Sequence, residues 1–257
     1  MRPLIVVAAR ASAARPRRPH LILPEIPATG HNSLVIVRLE PPFPRRPIIA
    51  LMTRTAVSVR PATCSDVRML ANVLAKAFYD DPPFVWTLPD DKTRLVRSRR
   101  IFSTALRTEA LRHGAVDAAW DGESGRIVGG AIWFPPGTWP SPVARQILAL
   151  PGYARALRRR LGPTTNLAAA LMHVHPTAPH WYLYAIGVDP AQQGRGVGGA
   201  LLRSRLQRVD KEGAAAYLES SKPENIPLYE HFGFQVAKVP PLPAGAPVVT
   251  PMSRPAH

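Results

Sequence analysis

One glycine-rich stretch limits the fold of this chain more than any other feature. Four glycines fall within six residues in Gln193–Gly199. An apolar run, Trp181–Val188, precedes them and has the length of a buried strand that Asp189 and Pro190 end. Ala200–Val209 then continues with helical spacing. Such a turn leaves unpaired N–H groups at the positive end of a helix dipole, so the sequence predicts an α/β protein that binds phosphate or diphosphate there.

A dinucleotide site is the first alternative, because Gly194, Gly196 and Gly199 fit Gly-x-Gly-x-x-Gly. Glu219 even lies at a suitable distance to bind a ribose hydroxyl. However, five residues separate the strand from the first glycine, and too little chain follows to build the further βαβ units of such a domain. The dinucleotide interpretation is therefore disfavoured.

A second pattern fits better. Gln193, Gly196 and Gly198 match Gln/Arg-x-x-Gly-x-Gly/Ala, and Asn225 and Tyr229 belong to a downstream Asn-x-x-x-Tyr-x-x-x-Gly-Phe element. Together they resemble the GNAT N-acetyltransferase superfamily over residues 180–238, and more loosely from residue 57. The sequence that flanks both motifs is most similar to the puromycin N-acetyltransferase branch. The resemblance implies a central mixed sheet flanked by helices and acetyl-CoA as co-substrate.

The same resemblance implies which residues contact acetyl-CoA. The backbone of Ile186, Gly187 and Val188 would pair with the pantetheine arm, and Asn225 would contact that arm. Tyr229 would give a proton to the departing thiolate, although a packing role for its ring stays open. The diphosphate would lie on the turn, which comprises Gln193, Gly194, Arg195, Gly196, Val197, Gly198 and Gly199.

The general base is less clear from the sequence. Glu219 follows the apolar run Ala214–Leu218 and is the first candidate, because an amine near pKa 10 must lose a proton before it attacks. Many family members carry a glutamate on the central strand, where this chain has Tyr182, Tyr184 and Ala185. A water relay assisted by tyrosine therefore stays open, as does an ordinary carboxylate at a strand end.

The acceptor pocket is expected after the first helix. Asp80 and Asp81 lie there beside aromatic residues, and together with Tyr184 they suit a cationic amine. Solvated acids at a helix end are the alternative. Three nearby histidines lack the spacing and partners of a zinc site, so no metal is expected; they are His173, His175 and His180.

Composition restricts the class of protein further. The chain has 257 residues, a net charge of +16 and one cysteine, Cys64. Positive charge suits both nonspecific nucleic-acid binding and a phosphate-rich cofactor. The lone cysteine suits a reducing compartment, so a cytoplasmic location is expected, and no apolar run is long enough to span a bilayer. Neither a membrane nor a specific nucleic acid is an expected partner.

The chain is expected to divide at Met52. Residues 1–51 are rich in arginine and proline and are predicted to be a disordered extension, with a targeting peptide as the alternative. Residues 52–257 form the predicted catalytic domain. Within it we expect a basic helix at Arg94–Leu111, a helix at Val143–Leu161 broken near Pro151, and late strands at Phe234–Val239 and Pro247–Met252.

The predicted function is direct acetyl transfer from acetyl-CoA to a small primary amine, for instance an aminonucleoside, by a monomer or homodimer. Three rivals are kept: a protein lysine or N-terminal acetyltransferase, a noncatalytic acetyl-CoA sensor and a basic nucleic-acid-binding protein.

Overall fold

The computed structural model describes residues 57–256, so the predicted extension at residues 1–51 lies outside the described part. Seven strands form one mixed sheet in the order β1-β2-β3-β4-β5-β7-β6. Only β4 and β5 run parallel to each other. The strands are β1 (Val57–Pro61), β2 (Val116–Asp121), β3 (Ile127–Phe134), β4 (His180–Val188), β5 (Ala215–Ser220), β6 (Gln235–Val236) and β7 (Thr250–Arg254).

Helices cover both faces of this sheet. Thr63 and Asp66 form a capping box, since the Thr63 backbone N–H and hydroxyl donate to Asp66 Oδ2 at 2.8 and 2.9 Å. Apolar spacing then buries one side of the helix that follows. The helices are α1 (Val67–Ala77), α2 (Pro82–Thr87), α3 (Asp91–Ala105), α4 (Val143–Leu157), α5 (Leu161–Met172), α6 (Val197–Lys211) and α7 (Ile226–His231).

The sheet forks at its centre. Strands β4 and β5 pair only from His180 opposite Ala215 to Leu183 opposite Leu218. Beyond this point β4 continues along β3 and β5 continues along β7. A bulge in β4 lies at Tyr184, because Leu183 pairs with Trp133 and Ala185 with the preceding Ile132. The fork lies directly before the glycine-rich turn.

Strand alternation assigns side chains to the two faces of the sheet. On β5, Leu218 joins the apolar layer beneath α6, whereas Tyr217 joins the layer beneath α1 and α3. Glu219 is the next odd-numbered residue, and it bonds Tyr182 of that second layer. Helix α1 approaches closely at Gly187, where a β-carbon would lie 2.7 Å from that of Ala77. Glycine is required at this position by the packing.

Several expected elements differ in extent. The basic helix ends at Ala105 and is followed by a π-helical turn at Leu106–Ala110. Helix α4 runs through Pro151 to Leu157, because burial of Tyr153 and its neighbours outweighs the lost backbone bond. The break comes instead at Arg158, whose φ is 52°.

The late strands are shifted and shortened. Only Gln235 and Val236 of the expected strand Phe234–Val239 pair, and the last strand covers Thr250–Arg254 rather than Pro247–Met252. Helix α2 was not expected from the sequence. Among residues 57–256, no helix combines the length and apolar character needed to cross a bilayer.

Candidate active site

The glycine-rich turn presents its backbone to open space. Gly194 and Gly196 have φ values of 79° and 81°, a conformation that side chains other than glycine adopt at a cost. A β-carbon built on either residue would meet no atom within 4 Å. The Ala200 N–H donates to the Gly196 carbonyl at 3.0 Å, which makes it the first N–H bonded within α6. The N–H groups of Val197, Gly198 and Gly199 therefore have no acceptor in the helix and are available to an anion.

The other predicted turn residues hold this loop in place. Gln193 Nε2 donates to the Val188 carbonyl at 3.4 Å, which ties the turn to the end of β4. The exposed Arg195 bonds Gln192 and lies 3.9 Å from Asp121. The arginine thus adds positive charge beside the bare amides. Donors and charge together fit a diphosphate.

The predicted strand segment lies on the fork. Ile186, Gly187 and Val188 are buried and pair with β3. On the side facing β5, no strand of the described chain pairs with them. This edge is the kind of surface to which an extended ligand adds as a strand.

Two predicted residues of the downstream motif are buried at the start of α7. Asn225 is 1% exposed, and neither atom of its amide group has a hydrogen-bond partner among residues 57–256. A buried unpaired amide costs about 1–3 kcal/mol, so its geometry suits a ligand that brings the missing partners. Burial and the nearby Asp81 carboxylate raise the pKa of the Tyr229 hydroxyl. The phenol therefore stays protonated and can donate.

Asp81 turns inward at the junction of α1 and α2. Its carboxylate is fully buried, Oδ2 accepts a hydrogen bond from the Ser221 hydroxyl, and Oδ1 has no partner in the described part of the chain. Burial raises the pKa of Asp81 to about 7, against the opposing effects of the Ser221 bond and the Lys222 charge. Asp81 can thus both accept and donate a proton near neutral pH.

Asp80, its neighbour, points the other way. It is exposed and accepts a hydrogen bond from Lys222 Nζ at 2.8 Å. The aromatic residues expected around the acid pair also separate: Tyr79 is exposed, and Trp86 packs beneath the Arg160 guanidinium at 4.6 Å. The structure therefore brings only one acid of the predicted pair to the buried site.

Glu219, the candidate base, is 1% exposed. Oε2 accepts from the Tyr182 hydroxyl at 2.7 Å, whereas the nearby Tyr217 hydroxyl has no hydrogen-bond partner among the described residues. Oε1 lies 3.6 Å from His175 Nδ1. Burial, followed by the Glu219 charge, raises the pKa of both tyrosines. Both phenols consequently stay neutral, and that of Tyr182 stabilises the carboxylate.

Tyr184 forms a wall of the same face. Its hydroxyl is hydrogen-bonded to that of Tyr153, which donates to Glu109 Oε1 at 2.7 Å. Its ring lies 5.4 Å from that of Trp139, which comes from the loop after β3. Burial raises the pKa of Tyr184. The Tyr184 ring therefore packs against Trp139, while its hydroxyl is hydrogen-bonded to Tyr153.

Sequence reasoning missed several residues of this site. Ser221 follows Glu219 by two positions, and alternation along β5 could have placed both on one face. By contrast, His175 and Trp139 reach the site from loops, which give no periodic signal. Among the described residues, no group of three or more His, Cys, Asp or Glu side chains is placed to hold a metal ion.

Comparisons with known proteins agree with this geometry. Residues 72–234 match the family model described as the acetyltransferase (GNAT) family. An uncharacterized N-acetyltransferase of Schizosaccharomyces pombe is 28% identical over 181 residues, which cover 66% of this chain and 70% of that protein. The N-alpha-acetyltransferase RimI of Mycobacterium tuberculosis is 36% identical over 100 residues, covering 38% of this chain and 61% of that protein.

Solved structures show the same fold. A Corynebacterium glutamicum structure described as histone acetyltransferase HPA2 and related acetyltransferase has a TM-score of 0.60 and 28% identity, covering 78% of this chain and 97% of that one. An agmatine N-acetyltransferase has a TM-score of 0.54 at 17% identity, with coverage of 77% and 98%. The second likeness is evidence for the fold alone.

Proposed function

Because this chain belongs to the acetyltransferase (GNAT) family, we propose that it moves the acetyl group of acetyl-CoA directly to the primary amine of a small cationic molecule. The observation that carries the proposal is the burial of Asp81 and Glu219, which are 0% and 1% exposed in a chain of net charge +16. Buried acids in a basic protein attract and orient a cation.

The enclosure of these acids favours a small acceptor. Aromatic rings of Trp139, Tyr182 and Tyr184 pack together over the sheet face that carries Glu219, with centroids 5.3–6.1 Å apart. We infer that such packed rings suit a short amine-bearing chain, and the acceptor screen below compares free small amines with peptide amines. Agmatine is named as the substrate of one structural neighbour, and the sequence that flanks the two motifs favours an aminonucleoside such as puromycin.

Two carboxylates allow the two amine protons to take separate paths. We assign removal of the ammonium proton to Glu219, which becomes the base of the reaction. The second proton leaves as the N–C bond forms and the C–S bond breaks. Asp81, with its pKa raised to about 7, takes it. Tyr229 donates its proton to the sulfur and is reprotonated by Asp81, so that the proton on Glu219 is the one released. Such division of labour follows when two acids lie in different environments.

Acetyl-CoA itself supplies the thioester, and this chain supplies its binding. The bare amides of Val197–Gly199 bind the diphosphate, and the unpartnered Asn225 amide and the open edge of β4 bind the arm. An N–H group of Ile186–Val188 polarises the thioester carbonyl. We propose that transfer is direct; Cys64, the only cysteine of the chain, is exposed before α1 and is not the carrier of the acetyl group. We also propose the cytoplasm as its location.

An acceptor screen tests this proposal. Release of CoA thiol is measured with puromycin, agmatine, polyamines, aminoglycosides and peptides bearing lysine or a free N-terminus. We expect turnover with at least one small amine and intersecting initial-rate lines, which indicate a ternary complex. Turnover with peptides alone would favour a protein acetyltransferase, the activity named for RimI. Binding of acetyl-CoA without turnover of any acceptor would indicate a sensor.

A further inference from the structure

Two histidines connect the buried Glu219 to the surface. His175 lies in the segment between α5 and β4 and is 8% exposed. Its Nδ1 lies 3.6 Å from Glu219 Oε1, and its Nε2 lies 3.1 Å from His180 Nε2. His180 begins β4 and lines an open groove of about 350 Å³ together with Pro176 and Pro179. A continuous path thus leads from the Glu219 carboxylate to the buried imidazole of His175, then to the imidazole of His180, and finally to solvent in the groove.

The hydrogen bonds fix which nitrogens carry protons. His180 Nδ1 lies 2.7 Å from the Ala178 carbonyl, an acceptor, so this nitrogen must be the donor. Burial lowers the pKa of His180, so its ring is neutral and Nε2 accepts. His175 Nε2 therefore carries the hydrogen of the bond between the rings. His175 Nδ1 is left facing Glu219 as the position for a shared proton.

The groups around His175 agree with this assignment. Glu219 and Tyr217 face it from β5, and His180 and Tyr182 face it from β4, with ring centroids 4.7–4.8 Å away. Glu219 is the only negatively charged group among them. Neither His175 Nδ1 nor Glu219 Oε1 has a hydrogen bond within residues 57–256. A small side-chain rotation or one water molecule closes the 3.6 Å gap between them.

Acetyl transfer releases a proton, which needs such a path out of the site. One ammonium and one acetyl-CoA give one amide, one CoA thiol and one free proton, because an N–C bond forms, a C–S bond breaks and only one of the two displaced protons ends on sulfur. The other proton must leave a site whose base is 1% exposed. An imidazole can accept it at Nδ1 and release another at Nε2.

We propose that His175 and His180 carry the released proton from Glu219 to the groove. His180 accepts a hydrogen from His175 at Nε2, and its Nδ1 hydrogen leaves to a groove water when the exposed bond to the Ala178 carbonyl opens. This proposal rests on the proposed function for the source of the proton, but the arrangement of the two rings is independent of it. His175 acts through Glu219 and does not touch the acceptor, so it is a positioning and relay residue rather than a catalytic one.

Kinetics of His175→Gln test the relay. Glutamine keeps a polar side chain but cannot pass a proton in this range. We expect kcat at low buffer concentration to fall about tenfold or more, with the KM for acetyl-CoA unchanged, and imidazole buffer to restore much of the rate. His173→Gln is the control, since His173 is exposed directly after the end of α5, two residues before His175. A purely structural role would give a loss that no buffer restores, and that outcome overturns the proposal. A variant with wild-type kcat at every pH also does.

Nitrogen-resolved NMR of the histidine rings separates this proposal from the proposed function. We expect His180 to carry its hydrogen on Nδ1 and His175 to carry one on Nε2, in protein without any acceptor. A His180 ring protonated only on Nε2 would refute the relay even if the enzyme is active. Conversely, absence of turnover with every amine, combined with the expected spectrum, would contradict the proposed function and leave the coupled imidazoles established.

Discussion

Replacement of Asp81 by asparagine is expected to change the pH dependence of stability. The carboxylate is fully buried and bonded to Ser221, and burial raises its pKa from 3.8 to about 7. The folded protein therefore binds this proton more tightly than the unfolded chain does. Consequently, the free energy of unfolding falls as the pH rises from about 4 to about 7 and is constant above that range, as far as this group is concerned.

The size of the effect follows from the pKa difference. One pKa unit corresponds to about 1.4 kcal/mol, so the ionised carboxylate costs the folded state about 4 kcal/mol once the pH exceeds 7. Part of the cost is already present at pH 5, which leaves about 2–3 kcal/mol to develop between pH 5 and pH 8. Asparagine has nearly the same shape as aspartate and does not titrate. Any hydrogen bond that the substitution loses or gains therefore changes the free energy of unfolding by the same amount at every pH.

Urea unfolding at several pH values and fixed ionic strength measures this difference. The free energy of unfolding of Asp81→Asn minus that of the wild type should rise by about 2–3 kcal/mol from pH 5 to pH 8. Asp80→Asn is the matched control, because it removes the adjacent exposed acid and leaves the buried carboxylate of Asp81 in place. A flat difference for Asp81→Asn would mean that the carboxylate is ionised throughout, and its proposed role in proton transfer would be wrong.

Three further substitutions test the site. Tyr229→Phe should lower kcat about 10- to 100-fold with little change in acetyl-CoA affinity, as single-turnover kinetics and calorimetry would measure; full turnover at every pH would contradict the donor role. Gly196→Ala should weaken acetyl-CoA binding about tenfold, because the left-handed backbone resists a side chain and the methyl group faces the diphosphate. Gly125→Ala is its control, with a φ of 61° in the β2–β3 turn, and equal affinities for the two variants would exclude the turn as the binding site. Glu219→Gln should lose most activity below the pKa of the acceptor and regain it where the amine arrives neutral; a constant ratio to the wild-type rate across pH would argue against Glu219 as the base.

The fold and the cofactor side of the site could be predicted because their signals are local. The glycine turn and the Asn225 to Tyr229 element each lie within one short segment, so spacing alone places their residues. The family match over residues 72–234 and the mixed sheet confirm the family and the fold. The roles of the individual residues stay predictions.

The acceptor side depends on contacts between distant segments. Asp80 and Asp81 are adjacent in sequence, yet one is exposed and the other is buried against Ser221. Pro82 restricts Asp81, the residue before it, to extended backbone. This restriction is visible in the sequence, but only packing decides which of the two acids turns inward. His175 meets Glu219 across a loop and a strand, and no periodicity connects them. The continuous helix at Pro151 was missed for the same reason, because its burial against neighbouring helices outweighs a local rule.

A sheet that forks at its centre has two unpaired strand edges in its interior, whereas other sheets have no unpaired edges there. Strand edges are normally managed at the periphery, because they invite pairing with any extended chain. In this protein the unpaired edge of β4 along Ile186–Val188 lies between two layers of packed side chains, so only a thin and flexible ligand fits beside it. The main-chain groups on this edge can therefore pair with one extended ligand as a further strand, and the pantetheine arm of acetyl-CoA is the ligand proposed above.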